Sequence, residues 1–374
     1  MRRAHVVTVV VGGVEIGGWT DYNVEANMLA PADSFTLTRP ADRRAWNVCE
    51  LDALVQVQID GTPIVTGYIG DLGGSARSGT ITIAGRCKAG RLVSESAPGI
   101  HYAGLKLLEL VRRLAEPWFT TITTSDARNR DVRRGKRNRV YRASAGAEPV
   151  ILDNVTAGGR IEPGQVRWQV IEDLVTQAGY LAWSSADGLE LIVGRPNYAQ
   201  EVQWLLRHSA DEEGTVLDLE PASSIEDAFS QIQVIGSGRG TDADYGTGPA
   251  DRVGVWRDGV GPFGVGLDFI RPKRLVIVGH SLHSARDATE LARREARRRN
   301  MKRRAVTAEV AGHGQVGRAN AAPTIFAPNT LARVVWDRVG LDGVYLVTGC
   351  RYQARRDQET TTLSLVPKGT ELTL

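Results

Sequence analysis

Cysteine is scarce in this chain. Cys49, Cys87 and Cys350 are the only three among 374 residues. So small and odd a number, so widely spaced, gives neither a disulfide framework nor a zinc-binding spacing, and a reduced compartment is expected. Histidine is also rare, and none of the six pairs with Cys or carboxylates at metal spacing. His280 and His283 stand three apart with no third ligand nearby in sequence. Long apolar runs are missing as well. The opening Met1-Arg2-Arg3-Ala4-His5 runs into Val6-Val7-Thr8-Val9-Val10-Val11, then Gly12-Gly13. That run falls well short of the ~18 residues a membrane helix needs, and its β-branched content reads as a strand and not as a leader. The expectation is a soluble chain made in a cytoplasm, with no membrane insertion. One-signed charge is lacking too: the net charge is only +3, so the whole molecule is no polycation.

What is present suits a folded, strand-rich protein. Hydrophobic residues make up 42% and charged residues 24%, an ordinary balance for a chain with sizeable cores. Glycine occurs 41 times, above the typical ~7%, which fits many tight turns. The length suggests roughly two to four domains. Residues 1–97 read as strands: Val7–Val11, Val14–Trp19, Ser34–Thr38, Leu54–Ile59, Ile64–Ile69 and Thr80–Ala84. Their period-two alternation buries one face, as in antiparallel sandwiches and barrels. Residues 98–196 look mixed. Helices are expected over Ala103–Ala115, ended by Pro117, and over Val166–Ala178, capped by Gly179. A hairpin, Leu181–Ser184 with Leu189–Val193, turns at Asp187-Gly188. Residues 197–374 return to strands, at Ser230–Ile235, Arg274–Val278, Ala305–Val310, Leu331–Trp336, Tyr345–Tyr352 and Thr360–Val366. Ser284–Asn300 is expected to be a helix, with Ser281 or Ser284 as its cap. Residues 236–268, rich in Gly and Asp, read as a long exposed loop. The expected fold class is therefore α+β, β-rich, with two β-barrel-like domains (1–97 and 197–374) flanking a mixed α/β domain (98–196).

One internal echo stands out. Asp60-Gly61-Thr62-Pro63-Ile64-Val65-Thr66-Gly67 is mirrored by Asp342-Gly343-Val344-Tyr345-Leu346-Val347-Thr348-Gly349. Two β-domains of related design would explain the match, and so would chance convergence of two hairpins.

The order of four stretches resembles the hub proteins of Mu-like contractile-tailed phages. The first is Val9-Val10-Val11-Gly12-Gly13-Val14-Glu15-Ile16-Gly17-Gly18-Trp19 with Ser34-Phe35-Thr36-Leu37. The second is Val57-Gln58-Ile59-Asp60-Gly61-Thr62-Pro63 with Gly67-Tyr68-Ile69 and Gly85-Arg86-Cys87-Lys88. The third is the helix and hairpin over Ile171–Val193. The fourth is Pro328-Asn329-Thr330-Leu331-Ala332-Arg333-Val334 with Gly340-Leu341-Asp342-Gly343 and the end Leu363–Pro367. Segments 126–160 and 236–268 lie outside the likeness. The resemblance implies a homotrimer with two tube-like β-domains per subunit, so that three subunits make a pseudo-sixfold ring. It implies a baseplate hub in the virion, assembled in the host cytoplasm. Its partners would be the tail tube protein or a distal tube adaptor, the central spike and other baseplate proteins. DNA would only pass through the lumen. A headless tailocin or a secretion device would use the same hub.

Other chemistry can be read into the chain. Gly279-His280-Ser281-Leu282-His283 follows a strand and precedes a helix, the setting of a hydrolase nucleophile elbow with Ser281 as nucleophile. The final position should be Gly but is His283. No oxyanion loop of the HGGG type is present, and parallel strand–helix alternation is not evident in the sequence. Gly236-Ser237-Gly238-Arg239-Gly240 hints at a phosphate loop but runs into Thr-Asp-Ala-Asp, without the helix and lysine such a loop needs. Two basic clusters remain: Arg128, Arg130, Arg133, Arg134, Lys136, Arg137, Arg139 and Arg142; and Arg293, Arg294, Arg297, Arg298, Arg299, Lys302, Arg303 and Arg304. Nucleic-acid binding is one reading of them, and a solvated or partner-facing surface is the favoured one. The second cluster lies on a helix whose stripe is Ala285, Ala288, Ala292 and Ala296, suited to close packing on a sheet. Glu290 with Arg294 and Glu295 with Arg298 are expected pairs. No catalytic, cofactor or metal-binding residue is assigned, and the function expected is structural. The alternatives are a serine hydrolase using Ser281 and a basic nucleic-acid-binding protein.

Overall fold

The computed structural model describes residues 5–99, 105–124, 156–157, 161, 164–208, 215–222, 226, 229–237, 252–257, 273–280, 285–301, 305–315, 324–355 and 358–370. They form two compact units, one of residues 1–220 with 307–368 and one of 221–306 with 369–374.

The first unit opens with a hairpin of β1 (Val7–Val11) and β2 (Val14–Ile16). Gly12 and Gly13 turn it with φ of +56° and +81°, values that only glycine adopts without cost. Next come β3 (Asp21–Asn27), β4 (Ser34–Pro40) and α1 (Arg43–Val48), whose N-terminus is capped by the Asp42 carboxylate accepting the Arg44 N–H. β5 (Leu54–Ile59) buries Val55, Val57 and Ile59 and turns at Asp60-Gly61 into the long β6 (Thr62–Ser75). β7 (Thr80–Cys87) and α2 (Ala89–Ser94) complete this half. The mixed region follows, with β8 (Leu105–Lys106), α3 (Leu107–Ala115), β9 (Thr121–Thr124), β10 (Thr156–Ala157), α4 (Arg167–Gln177), β11 (Leu181–Ser184) and β12 (Glu190–Gly194). α3 buries Leu107, Leu110, Val111 and Leu114, and α4 buries Val170, Ile171, Leu174 and Val175, the stripes their spacing dictates. Gly179 closes α4 with φ of +78°. β11 and β12 are antiparallel, and β12 runs parallel to β9. Then come β13 (Val202–His208) and β14 (Asp218–Ala222).

The second unit holds a three-stranded sheet, β15 (Gln231–Ser237) between β16 (Val253–Arg257) and β17 (Arg274–His280), and α5 (Ala285–Met301). Part of the stretch expected to be loop is thus strand β16. Its alternation is interrupted because the inward position is Gly254, not a large apolar residue. An ideal Cβ there would lie 2.1 Å from the Ala288 carbonyl carbon, so only glycine lets α5 approach this closely. Ala288, Ala292 and Ala296 pack on Ile232 and Val234, flanked by Phe229, Trp256, Leu275, Ile277 and Leu291. The alanine stripe serves as expected, except that Ala285 is exposed. β15 and β17 are parallel, so a parallel pair that the sequence did not suggest precedes α5.

The first unit resumes with β18 (Ala305–Ala311), β19 (Gly314–Gln315), β20 (Thr324–Ile325), β21 (Thr330–Trp336), β22 (Leu341–Arg355) and β23 (Gln358–Pro367). Its main sheet has thirteen strands in the order β14-β18-β23-β22-β3-β4-β7-β6-β5-β1-β2, with β21 also on β22 and β13 on β21. The run β3-β4-β7-β6-β5-β1 therefore recurs as β14-β18-β23-β22-β21-β13, with the chain visiting equivalent strands in the same sequence order. At the end of the run the orientations differ: β1 is antiparallel to β5, whereas β13 is parallel to β21. The fold is a β-rich α+β fold.

This repeat does not use the register of the sequence echo. Against β7 the bulge in β6 falls at Gly70, and against β23 the bulge in β22 falls at Thr348. The residue leaving each hairpin bonds back alike, Lys88 N–H to Thr66 O and Lys368 N–H to Val344 O. Thr66 thus corresponds to Val344, whereas the echo sets it against Thr348. Asp342-Gly343 is no turn either: it lies inside β22, and the turn is the 3₁₀ segment Asp337–Val339 with Gly340 at φ of +68°.

Candidate assembly site

The two halves of the main sheet meet where β3 lies antiparallel to β22, from Gly349 opposite Asn27 to Ala354 opposite Tyr22. One face of this seam buries Tyr22, Val24, Ala26, Cys350, Tyr352 and Ala354. The other face is polar, with Arg351 Nη2 3.2 Å from Glu25 Oε2. Alternation along both strands produces that split.

A buried polar knot fastens one end of the seam. His313 is fully buried. The Tyr22 hydroxyl donates to His313 Nε2 at 2.5 Å, and Nδ1 meets Thr361 Oγ1 at 2.9 Å. The Thr361 hydroxyl in turn donates to Gly312 O at 2.7 Å. With the Thr361 hydrogen committed to Gly312 O, the imidazole proton sits on Nδ1, and in the neutral ring Nε2 accepts from Tyr22. Burial, with His5 adding to it, pushes the His313 pKa down to about 3. His5 stacks beside it at 5.1 Å between ring centroids, and its Nδ1 lies 2.6 Å from Asp60 Oδ2. Burial pulls the Asp60 carboxyl upward, but the Val6 N–H and His5 outweigh it and hold it below its ordinary value. The His5 N–H donates to Glu359 Oε2 at 3.0 Å. These groups satisfy one another, which suits a fastening rather than a reaction.

Beside the other end of the seam lies a cavity of about 240 Å³, walled in part by Ile64, Trp183, Ile192, Phe326 and Tyr352. Asp33 is its acidic group. One carboxylate oxygen accepts the Asn27 N–H at 2.7 Å, and the Asp33 N–H donates to Cys87 Sγ at 3.2 Å. Burial raises the Asp33 pKa to about 7 despite the Asn27 N–H. Burial likewise pushes the thiols of Cys87 and Cys350 up to about 12, which makes both poor nucleophiles near neutrality. All three cysteines are buried and free.

The residues singled out by sequence fare unevenly. Ser281, Leu282, His283, Ser284 and all of the first arginine cluster lie outside the described residues, as does the glycine-rich segment beyond Ser237. His280 ends β17 and has no described side chain. In the second cluster, Arg293 is exposed. Arg299 pairs with Glu295 at 3.3 Å and lies over the Phe229 ring at 5.1 Å. The expected partner of Glu295 was Arg298, whose side chain is outside the described set, as are those of Glu290, Arg294 and Arg297. Opposite α5, the sheet leaves Val253, Val255, Val276 and Val278 exposed, with Arg257 and Arg274 as its next row. Among the described residues no group of three or more His, Cys, Asp or Glu could hold a metal, and no helix is long and apolar enough to cross a membrane. Sequence reasoning passed over β3, His313 and Asp33. β3 had a signal, because Tyr22, Val24 and Ala26 alternate with polar residues. The other two are isolated in sequence, and only the fold brings partners to them.

Comparison with known proteins bears on this architecture. Residues 6–87 match the family described as Mu phage baseplate assembly protein GpP-like, N-terminal. The expected likeness to Mu-like phage baseplate proteins is shown. A tail protein from Neisseria meningitidis MC58 is 22% identical, with 99% of this chain and 98% of that one covered at a TM-score of 0.74. The 43 kDa tail protein of prophage MuSo2 from Shewanella oneidensis is 18% identical, with 98% and 99% covered at 0.71. A component of the E. coli type VI secretion system, described as structurally similar to the T4 tail proteins gp27 and gp5, is 10% identical, with 96% and 76% covered at 0.52. At these identities the structural likeness is one of fold. No curated protein matches the sequence. The match at residues 6–87 is thus to a Mu phage baseplate assembly family, and over the whole chain the likeness to the two tail proteins is one of fold.

Proposed function

We propose that the chain is the structural hub of a tail baseplate, a homotrimeric ring that joins the tail tube, directly or through a distal adaptor, to the central spike. The observation that carries this reading is the repeated strand order of the main sheet. Three copies of a chain that holds the same six-strand arrangement twice would set six like sheets around one axis. Such a ring meets a six-fold tube on one face and a three-fold spike on the other, and a closed cyclic arrangement leaves no interface unsatisfied. The seam and its knot hold the two halves of each chain in fixed relation, which a symmetric ring requires. Exposed apolar residues on the first unit (Trp46, Leu51 and Leu54) and the open valine face of the second are surfaces for baseplate neighbours. The work is done by shape and charge complementarity, with no catalytic step. In the assembled contractile tail, put together in the host cytoplasm, the lumen would form part of the path for DNA. The likeness to a type VI secretion component fits the same role in a related injection device.

The test is the native mass of the purified chain, with electron-microscope class averages of the same fraction. A trimeric ring with an open centre is expected. A stable monomer without rings at high concentration overturns the hub reading.

A further inference from the structure

The cavity beside the seam lies between the end of β3, the start of β6, the β11–β12 hairpin and the segment after β20. Its volume of about 240 Å³ falls just below the roughly 300–1,000 Å³ of pockets that enclose whole ligands, and suits a group the size of one side chain. The wall is mostly apolar, with Met28, Ile64 and Ile192 beside the rings of Trp183, Phe326 and Tyr352. Such rings attract a cation at their faces.

Asp33 is the only charged residue in this wall, and no lysine, arginine or histidine lines it. The polar groups around it already serve other partners. The Tyr352 hydroxyl donates to Phe326 O, the Ser184 hydroxyl to Ser185 O at 3.2 Å, and the Ser185 hydroxyl to Asp187 Oδ1 at 2.6 Å. Asn27 Oδ1 accepts the Leu29 N–H at 2.9 Å. One Asp33 oxygen holds the Asn27 N–H. The other has no donor, and Asp33 has no ion-pair partner, among the described residues. Glu25, the charge that bears on Asp33, is a second acid. A carboxylate withdrawn from water without a cation is costly, because nothing offsets the lost hydration. A cation that enters the cavity would supply the missing partner, and the apolar wall would take its stem.

We infer that this cavity binds an organic cation on a short apolar stem, an ammonium or guanidinium that donates to the second oxygen of Asp33 while the stem packs on Trp183, Phe326 and Ile64. Free amines and the lysine or arginine side chains of a partner protein share this chemistry. The inference does not depend on the trimeric hub reading.

The experiment compares phenethylammonium with phenethyl alcohol, which has the same stem and no charge, by NMR titration of the full chain read at the Trp183 indole and the Asn27 amide. At about pH 8 the ammonium keeps its proton as a lysine does, and Asp33, raised by burial to about 7, is mostly ionised. The ammonium is expected to bind at least about tenfold more tightly than the alcohol. Asp33→Asn keeps an acceptor for the Asn27 N–H and is expected to abolish that preference while leaving the alcohol's affinity unchanged. Trp183→Leu is expected to weaken both ligands and keep the preference. Equal affinities on the parent chain, or a preference that survives Asp33→Asn, overturn the inference. If Asp33→Asn does not fold, Trp183→Leu decides: affinities equal to the parent's put the ligands outside this cavity and overturn it as well. N-acetyl-lysine N-methylamide and its arginine equivalent then separate the two sources. Binding of either that depends on Asp33 assigns the cavity to a partner's side chain, and binding of phenethylammonium alone assigns it to a free amine.

Discussion

The Tyr22 hydroxyl and His313 Nε2 lie 2.5 Å apart although 291 residues separate them in the chain. The bond ties the seam strand β3 to the segment just after β18, so the two halves of the main sheet share a buried polar contact as well as a strand pairing. Because His313 must accept this proton, it must stay neutral, and acid works against the fold. Its ordinary pKa of 6.5 falls to about 3 in the folded chain. Between those values the unfolded chain binds the extra proton and the folded chain does not, so stability falls as pH drops from 6.5 towards 3. Replacing His313 with Gln should remove this component and reduce the slope of stability against pH by up to about 1.4 kcal/mol per pH unit in that window. Urea unfolding at a series of pH values measures it. An unchanged slope in a folded variant rules out His313 as its source.

Asp33 should contribute with the opposite sign. Its pKa rises from 3.8 to about 7 in the folded chain. Here the folded state holds the proton more tightly, so the contribution is fully present below pH 3.8 and is lost as pH rises to about 7. The two groups therefore oppose each other over the window they share. Asp33→Asn should unmask the histidine, leaving a chain whose stability climbs more steeply between pH 4 and 6.5 than that of the parent. A flatter profile in the same urea titration would contradict this assignment.

Gly254 is a steric requirement of the second unit. A methyl group there would meet the Ala288 backbone at 2.1 Å, and backbone cannot move aside as a side-chain tip can. Gly254→Ala should cost at least about 1–3 kcal/mol, since α5 must lift from the sheet. The expected signature is faster amide exchange along β15 and α5, with β6 and β22 unchanged. Protection equal to the parent throughout would mean that the helix accommodates the methyl.

Much of the architecture is legible in the sequence, and what is not has physical causes. β1 and β5 have the expected bounds, β1 because a short β-branched run bounded by Gly12-Gly13 reads as a strand and β5 because its apolar and polar residues alternate. α4 differs by one residue at each end from the helix its apolar stripe predicts. β16 was hidden because its inward positions are Gly254 and Trp256, and the glycine, chosen for a close helix, erases the strand pattern. The repeat of the main sheet was expected for a reason the structure replaces. Thr66 and Thr348 share a local phrase, yet backbone bulges and hairpin bonds set Thr66 against Val344. Topology repeats where sequence need not, because hydrogen-bond register constrains the backbone and leaves most side chains free. The knot around His313 joins positions far apart along the chain, and no local pattern announces it.

Thr66 joins the main sheet to the mixed region, and the contact is tight enough to test. Its hydroxyl donates to Ala186 O at 3.0 Å, in the turn between β11 and β12. Gly188 follows at φ of +67°, and an ideal Cβ on it would lie 2.7 Å from Thr66 Cβ. Thr66→Val keeps the shape and removes the donor, so it should cost about 0.5–1.5 kcal/mol. Gly188→Ala adds backbone strain to a clash and should cost more, about 1–3 kcal/mol. The pair should not be additive: Thr66→Ser retains the hydroxyl, trims the methyl on Thr66 Cβ and should recover part of the Gly188→Ala loss. A double-mutant cycle by urea unfolding measures the coupling. Strict additivity of Thr66→Ser and Gly188→Ala would mean that the two residues do not share this contact in solution.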